Sequence, residues 1–275
     1  MDSPSSARTG LRRRPERAPV WIAILAALGA AFFIVPLVGL VVRTPWGDAW
    51  GSLTSPDTLE ALRLSLVASL TSTAVALVLG VPLAWVYARI DFPGKAVLRA
   101  LTTLPMVLPP VVGGIALFLA FGRRGLLGQW LDSALGVTLP FTTAGVVFAE
   151  TFVAMPFLVL TVEAGLRSMD RRYEEAARTL GARRWTVLTR VTLPLIAPSL
   201  AAGAVLCWAR ALGEFGATIT FAGNLPGVTQ TMPLAVYLLL ETNTNPEGSF
   251  VLSLVLLLVS LAVLVGLRHR WLGSA

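Results

Sequence analysis

The amino-acid sequence predicts an all-α, polytopic membrane protein with six transmembrane helices, several of them kinked. Three observations lead there. Of 275 residues, 55% are hydrophobic and only 13% charged, and the mean hydropathy is +0.75; a water-soluble domain carries about a quarter charged residues. Six stretches suit a hydrocarbon core, which takes roughly 20 helical residues; they lie at about 20–42, 62–88, 98–121, 142–165, 195–221 and 249–267. The basic residues, finally, gather on one side of such a six-span layout.

Residues 1–18, rich in Ser, Arg and Pro, read as a disordered cytoplasmic tail, and 19–275 as the transmembrane domain. The first apolar stretch is too long for a signal-peptide core and lacks a small-residue cleavage site behind it, so it counts as a span. Pro82 falls in the second span and Pro105, Pro109 and Pro110 in the third; Pro156 and Pro198 fall in the fourth and fifth. Prolines kink helices, and membrane helices tolerate them where neighbours or water satisfy the freed carbonyls. Bent helices around a cavity are the expectation. The glycine-rich GRRGLLGQ at 122–129 reads as an extracytoplasmic loop. Glu150 and Glu163 in the fourth span read as interhelical pairing partners or end residues, and Cys207 as a small core residue. Trp21, Trp46, Trp50, Trp85 and Trp271 lie near span ends and fit an interfacial aromatic belt.

With six spans, both termini share a side with the second and fourth loops. That side holds Arg8, Arg12, Arg13, Arg14 and Arg17, then Arg89, Lys95 and Arg99. It also holds Arg167, Arg171, Arg172, Arg178, Arg183, Arg184 and Arg190, and finally Arg268 and Arg270, which makes 17 of the 22 basic residues. The positive-inside rule places this face in the cytoplasm of a cell membrane, with lipid as a partner. The net charge of +7 is thereby topological, and a nucleic-acid partner is not expected. One cysteine excludes a disulfide within the chain, and His269 is the lone histidine. There is no G-x-x-x-x-G-K-[ST] phosphate loop and Lys95 is the only lysine. The chain is therefore not expected to be an enzyme, nor to hold a cofactor or metal of its own.

The fourth loop, about 167–194, interrupts the apolar pattern with EEAARTLGARRWTVLTRVTLP, Glu174 to Pro194. Asp170 suits an N-cap for a helix whose Tyr173, Ala176, Ala177 and Leu180 share one apolar face. Gly181 ends that helix, because glycine adopts the left-handed conformation without steric cost. A second short helix follows from about Arg183, with Trp185 and Leu188 on one side, and Pro194 stops it. A DNA-binding helix–turn–helix has this outline, but membrane tethers on both sides keep it off a duplex. An amphipathic loop on anionic headgroups and a docking surface for a cytoplasmic partner both fit.

The spacing Glu175-Ala176-Ala177, Gly181, Val191, Leu193-Pro194 resembles the E-A-A-x3-G-x9-I-x-L-P loop of ATP-binding-cassette importer permeases. Val191 replacing isoleucine is the one departure. The resemblance implies a type I importer permease fold and a coupling helix seated in a cleft of a cytoplasmic ATPase. It gives Glu174, Glu175, Ala176, Ala177, Gly181, Val191, Leu193 and Pro194 the coupling role. It also implies a homodimer of permeases, two ATPase subunits that bind the ATP and Mg2+, and an extracytoplasmic binding protein.

Arg210 and Glu214 stand four apart within the fifth span. Intramembrane charges cost about 2.5–3.5 kcal/mol each on insertion scales and tend to face a bundle interior or aqueous cavity. Two readings fit: a mutually neutralising structural pair, or an arginine adding positive potential to an anion path. Asn224, Thr229, Gln230 and Thr231, with Gly223 and Gly227, form an outward loop whose donors suit an oxyanion, although surface turns share that composition. The stretch ARALGEFGATITFAGNLPGVTQTMPLAVY resembles molybdate and tungstate importer permeases, and sulfate permeases less closely, within a likeness covering about 58–267. That resemblance implies molybdate or tungstate import by alternating access. The alternatives are a sulfate or other oxyanion permease, and a secondary transporter running without ATP; the latter calls for relay carboxylates, of which Glu214 alone has suitable depth.

Overall fold

The computed structural model describes residues 19–242 and 245–271. The tail expected at 1–18 lies outside them, as do the side chains of Arg268, Arg270 and Trp271. Every regular element described is helical. Contacts divide the chain into two units, Met1–Arg43 and Thr44–Ala275. In the first, α1 spans Val20–Arg43, its best window having a mean hydropathy of 2.6. None of its residues is buried, and Pro36 lies inside it.

The second unit begins with a short helix α2 (Ala49–Leu53), followed by α3, Pro56–Arg89. Ser55 caps α3, its hydroxyl accepting from Thr58 N at 3.4 Å, and Pro56 occupies the first turn, where no amide partner is lost. Its buried face carries Ala61, Ser65, Ala68, Ser72, Ala76, Gly80 and Ala84. Small residues three and four apart let membrane helices approach closely. The helix packed into that stripe is α7 (Thr143–Ser168), with α11 (Ala197–Leu212) against both. Leu158, Val159, Val162 and Leu166 of α7 form the largest core cluster with Ala76, Ala84, Tyr87, Cys207 and Ala211.

The third expected span, 98–121, is not one helix. An amphipathic α4 (Lys95–Thr103) continues through a 3-10 turn (Leu104–Met106), and α5 (Pro110–Phe121) then departs at a bend of 119°. Pro109 and Pro110 lack amide donors, and a residue before proline is pushed out of the α region. With 12 residues, α5 reaches only about 18 Å. The fifth span, expected over 195–221, breaks twice. Arg184–Leu195 meets α11 at 71°, and after Leu212 the chain restarts as α12, Gly216–Phe221. The half-helices α5 and α12 pack together: a side chain at Gly114 would strike the Ala217 backbone and the Thr220 hydroxyl. Leu117, Ala149, Val153, Ala217 and Phe221 seal them to α7.

Shorter helices complete the chain, of which α6 (Gly128–Leu135) and α13 (Met232–Glu241) were not expected. In the 122–129 segment only the first part is a turn, since α6 starts at Gly128 and runs to Leu135. The stretch after the fifth span holds α13, Met232–Glu241, packed on α3 and α14 (Pro246–Trp271). Beyond α7 come α8 (Arg172–Thr179), α9 (Arg184–Val187), a π-helical turn (Leu188–Thr192) and α10 (Leu193–Leu195). Among the described residues, four helices are long and apolar enough to cross a membrane, or up to six if each bent pair counts as one crossing. Among the described tryptophans of the expected belt, Trp21, Trp46, Trp50 and Trp85 all keep exposed surface.

Candidate functional site

The polar elbow between α7 and α11 folds as two short helices around one glycine. Asp170 Oδ1 accepts from Arg172 N at 2.9 Å, which anchors the start of α8. At its end, Ala182 N donates to Ala177 O and Gly181 N to Arg178 O, with Gly181 at φ +84°. This is the Schellman closure, and the left-handed φ is what glycine supplies there. Pro194 does not end the second helix. The chain passes through the π turn into Leu193–Leu195 and bends at Ile196. Leu193 packs on the main core cluster, Val191 is half-buried and Pro194 is exposed.

The two adjacent glutamates have opposite fates. Glu174 is 8% exposed. Its Oε1 lies 3.2 Å from Arg89 Nη2, at the end of α3, and accepts from the Thr192 hydroxyl at 2.7 Å. One carboxylate therefore ties α8 to α3 and to the π turn. Glu175 and Ala176 are exposed and Ala177 is half-buried. The apolar face expected of this helix is largely unpacked, with Tyr173 59% and Leu180 88% exposed, and Trp185 of α9 is 73% exposed. The elbow is thus attached to the bundle through Glu174 and carries exposed apolar surface at Tyr173 and Leu180. Arg89 and Thr192 escaped the sequence reading because their link to Glu174 spans 85 and 18 residues, beyond any local periodicity.

A second polar knot fastens the same end of the bundle. Glu163 is ion-paired with Arg167 at 2.8 Å and with Arg99 of α4 at 3.2 Å. Arg167 also donates to Tyr87 O at 3.1 Å, and the Tyr87 and Thr102 hydroxyls lie 2.6 Å apart. The interhelical pairing expected of Glu163 is thus formed, with α4 and α7 as partners. Glu150 accepts from Ser72 Oγ at 2.8 Å, which joins α7 to α3.

Arg210 and Glu214 are paired at 2.5 Å, although Glu214 lies in the break after α11 rather than on its face. Glu214 is 1% exposed and its Oε1 accepts from Ala217 N at 2.8 Å, capping α12. The loop of Asn224, Thr229, Gln230 and Thr231 turns inward instead of presenting donors. Thr229, Gln230 and Thr231 are buried, and Thr229 Oγ1 already accepts from Leu225 N at 2.9 Å. Gly223 and Gly227 turn the loop at φ +76° and +73°, and the Glu60 carboxylate lies against Gly227. The structure brings Arg210 together with Glu214, and it does not display Thr229 or Thr231 to a solute.

Sequence comparison bears on these features. The chain is 46% identical over 256 residues to the molybdenum transport system permease protein ModB of Mycobacterium tuberculosis, covering 93% of this chain and 96% of that one. It is 35% identical over 226 residues to the sulfate transport system permease protein CysT of Escherichia coli, covering 81% of each. Among solved structures, a bacterial alginate ABC transporter in complex with a pentasaccharide-bound periplasmic protein superposes with a TM-score of 0.73 at 16% identity, covering 91% of this chain and 92% of that one. That likeness concerns the fold alone. Residues 58–274 match the model of one family, and with it the relatives just described agree: the chain belongs to the binding-protein-dependent transport system inner membrane components.

Proposed function

We propose that this chain is the membrane-spanning subunit of an ATP-driven importer that carries molybdate, or the near-identical tungstate, into the cell. The observation that carries the transport reading is the elbow, clamped beneath by Glu174 and apolar above at Tyr173, Leu180 and Trp185. A short helix rigidly joined to membrane helices passes a rigid-body movement on to them. The oxyanion reading is supported by the greater identity to a molybdenum permease, 46%, than to a sulfate permease, 35%.

In this reading the elbow faces the cytoplasm with both termini and docks on a separate ATPase subunit, which binds the ATP and Mg2+. Two copies of the chain enclose the path, two ATPases drive it, and an extracytoplasmic binding protein delivers the anion. ATP binding draws the two elbows together and opens the bent helices outward; hydrolysis resets them and releases the anion inside. The exposed Glu175 and Ala176, with the half-buried Ala177 beside them, let the ATPase surface approach closely. Arg210 contributes to the path through its own position, held by Glu214.

The test is uptake of labelled molybdate into proteoliposomes holding the chain with its ATPase and binding protein. Uptake that needs ATP and survives a large excess of sulfate is expected. Uphill uptake by the chain alone, or equal competition by sulfate, overturns the proposal in its mechanism or its substrate respectively.

A further inference from the structure

A groove of about 660 Å3 opens between the end of α3 and the underside of the elbow. One wall is the α3 face carrying Val81, Pro82, Trp85 and Val86, and the opposite wall includes Leu188 and Leu193. Its lining also includes the buried Arg89 and the arginines Arg171, Arg178 and Arg184. Arg89 is taken by Glu174, but Arg178 and Arg184 join no ion pair among the described residues. Three arginines thus face the single remaining carboxylate, Glu175.

We propose that this groove holds one anionic phospholipid. Two observations select that occupant. The first is a gradient along one helix face. Val78, Pro82, Trp85 and Arg89 follow one another at helical spacing, from an apolar stretch that is 71% exposed at Val78 to the guanidinium at the end. The exposed stripe of α3 runs straight into the groove, so an acyl chain lying on that stripe brings its phosphate to the arginines. The second is the charge: guanidinium groups bind phosphate oxygens through two parallel hydrogen bonds, and basic clusters at a membrane surface recruit anionic lipid. Glu175 and Trp185 also line the groove, but its α3 wall is continuous with the exposed apolar stripe through Val78 and Trp85, which suits an acyl chain. Bound there, the lipid would fill the space beneath the elbow and brace it against α3 beside the Glu174 clamp.

The experiment measures tryptophan quenching in the full chain, in detergent micelles doped with phosphatidylglycerol or phosphatidylcholine brominated on the acyl chains. The Trp85 contribution is isolated as the difference between wild type and Trp85→Phe. Phosphatidylglycerol should quench it at a several-fold lower mole fraction than phosphatidylcholine. Each arginine is worth about fivefold toward an anionic lipid, so Arg178→Gln with Arg184→Gln should erase a preference of up to roughly 25-fold. The paired change Arg123→Gln with Arg124→Gln, at the far end of α5, should leave it intact. Equal quenching by the two lipids overturns the proposal, as does a preference that survives loss of Arg178 and Arg184. Quenching abolished by raising the protein concentration, or by adding the ATPase, means that a protein fills the groove, and the proposal fails. Circular dichroism and elution volume check the double variant, and the wild-type comparison of the two lipids stands without it.

Discussion

Replacing Glu174 by glutamine separates attachment of the elbow from docking on its surface. Glu174 and Arg89 have side chains only 10% and 8% exposed, and their contact is 3.2 Å. Glutamine keeps an oxygen able to accept from Thr192 but leaves the Arg89 charge buried without its counter-ion. Removing one member of a buried pair costs about 3–5 kcal/mol, chiefly the penalty on the stranded charge. Here the loss falls on the joint between α8 and α3, so α8 should detach locally while the rest of the bundle stays folded. The exposed residues Tyr173, Glu175 and Leu180 are untouched. The variant should therefore bind its ATPase within about threefold of wild type, since no docking group is removed. Molybdate moved per ATP hydrolysed should fall by about tenfold or more, because the joint that passes movement to α3 is loosened. The assay is parallel measurement of uptake and phosphate release in proteoliposomes, with a pull-down for assembly. Wild-type coupling would show that Glu174 transmits nothing; loss of ATPase binding equal to that of Leu180→Asp would show that it belongs to the docking surface instead.

Leu180→Asp and Trp185→Ala, both at exposed positions, should leave thermal unfolding within about 0.5 kcal/mol of wild type and abolish ATPase co-purification. Gly114→Val should lower the unfolding temperature in detergent, by about 1–3 kcal/mol of stability or more, because its Cβ has no room against the Ala217 backbone. Asp91 has its carboxyl held below the usual 3.8, first by the hydrogen bond from Lys95 and then by that charge. Its folded-state value is depressed, so its contribution is present above the ordinary value and disappears as pH falls through the depressed one. A carboxyl-carbon NMR titration should show that midpoint moving up in Lys95→Gln. Arg210→Gln should impair folding by leaving Glu214 unpaired, and adding Glu214→Gln should recover it; a double variant that folds but no longer transports would give Arg210 a direct role in the anion path.

What the sequence revealed, and what it hid, follows from how far apart the interacting residues are. The apolar stretches were readable because burial in hydrocarbon is a property of each segment alone. The closure at Gly181 was readable because a helix end is settled within four or five residues. The 119° break was only half visible: Pro109 and Pro110 announced a disturbance, yet nothing local says that α5 will turn away from α4 rather than continue with a kink. The break at Gly213–Phe215 and the cap from Glu214 were hidden by a spacing of four that looks helical. The burial of Thr229 and Thr231 was hidden for another reason, since a run of hydroxyls has the same composition exposed or packed. Most of all, Glu174 and Glu175 are indistinguishable as neighbours in a chain. Only Arg89, 85 residues earlier, decides which of them turns inward.

That choice has a mechanical consequence. The elbow is fixed to the bundle at three places: to α7 directly through the chain, to α3 through Glu174 and Arg89, and to α11 through Leu193 and the bend at Ile196. The first two converge on the helix pair in which the small-residue stripe of α3 packs against α7. A close-packed pair of helices resists deformation and moves as a unit. The third attachment is different in kind, because the π turn and the 71° bend interrupt the backbone ladder between elbow and α11. Interruptions of that sort are where helices yield. A push on the elbow should therefore carry α3 and α7 along together and be taken up as an angle change at Ile196. Beyond it, α11 leads to the Arg210–Glu214 pair and the half-helix α12. Straightening that bend, for instance with Pro198→Ala, which restores an amide donor beside Ile196, should uncouple transport from hydrolysis while the elbow still binds its ATPase. Unchanged coupling in such a variant, with the fold retained, would place the hinge elsewhere.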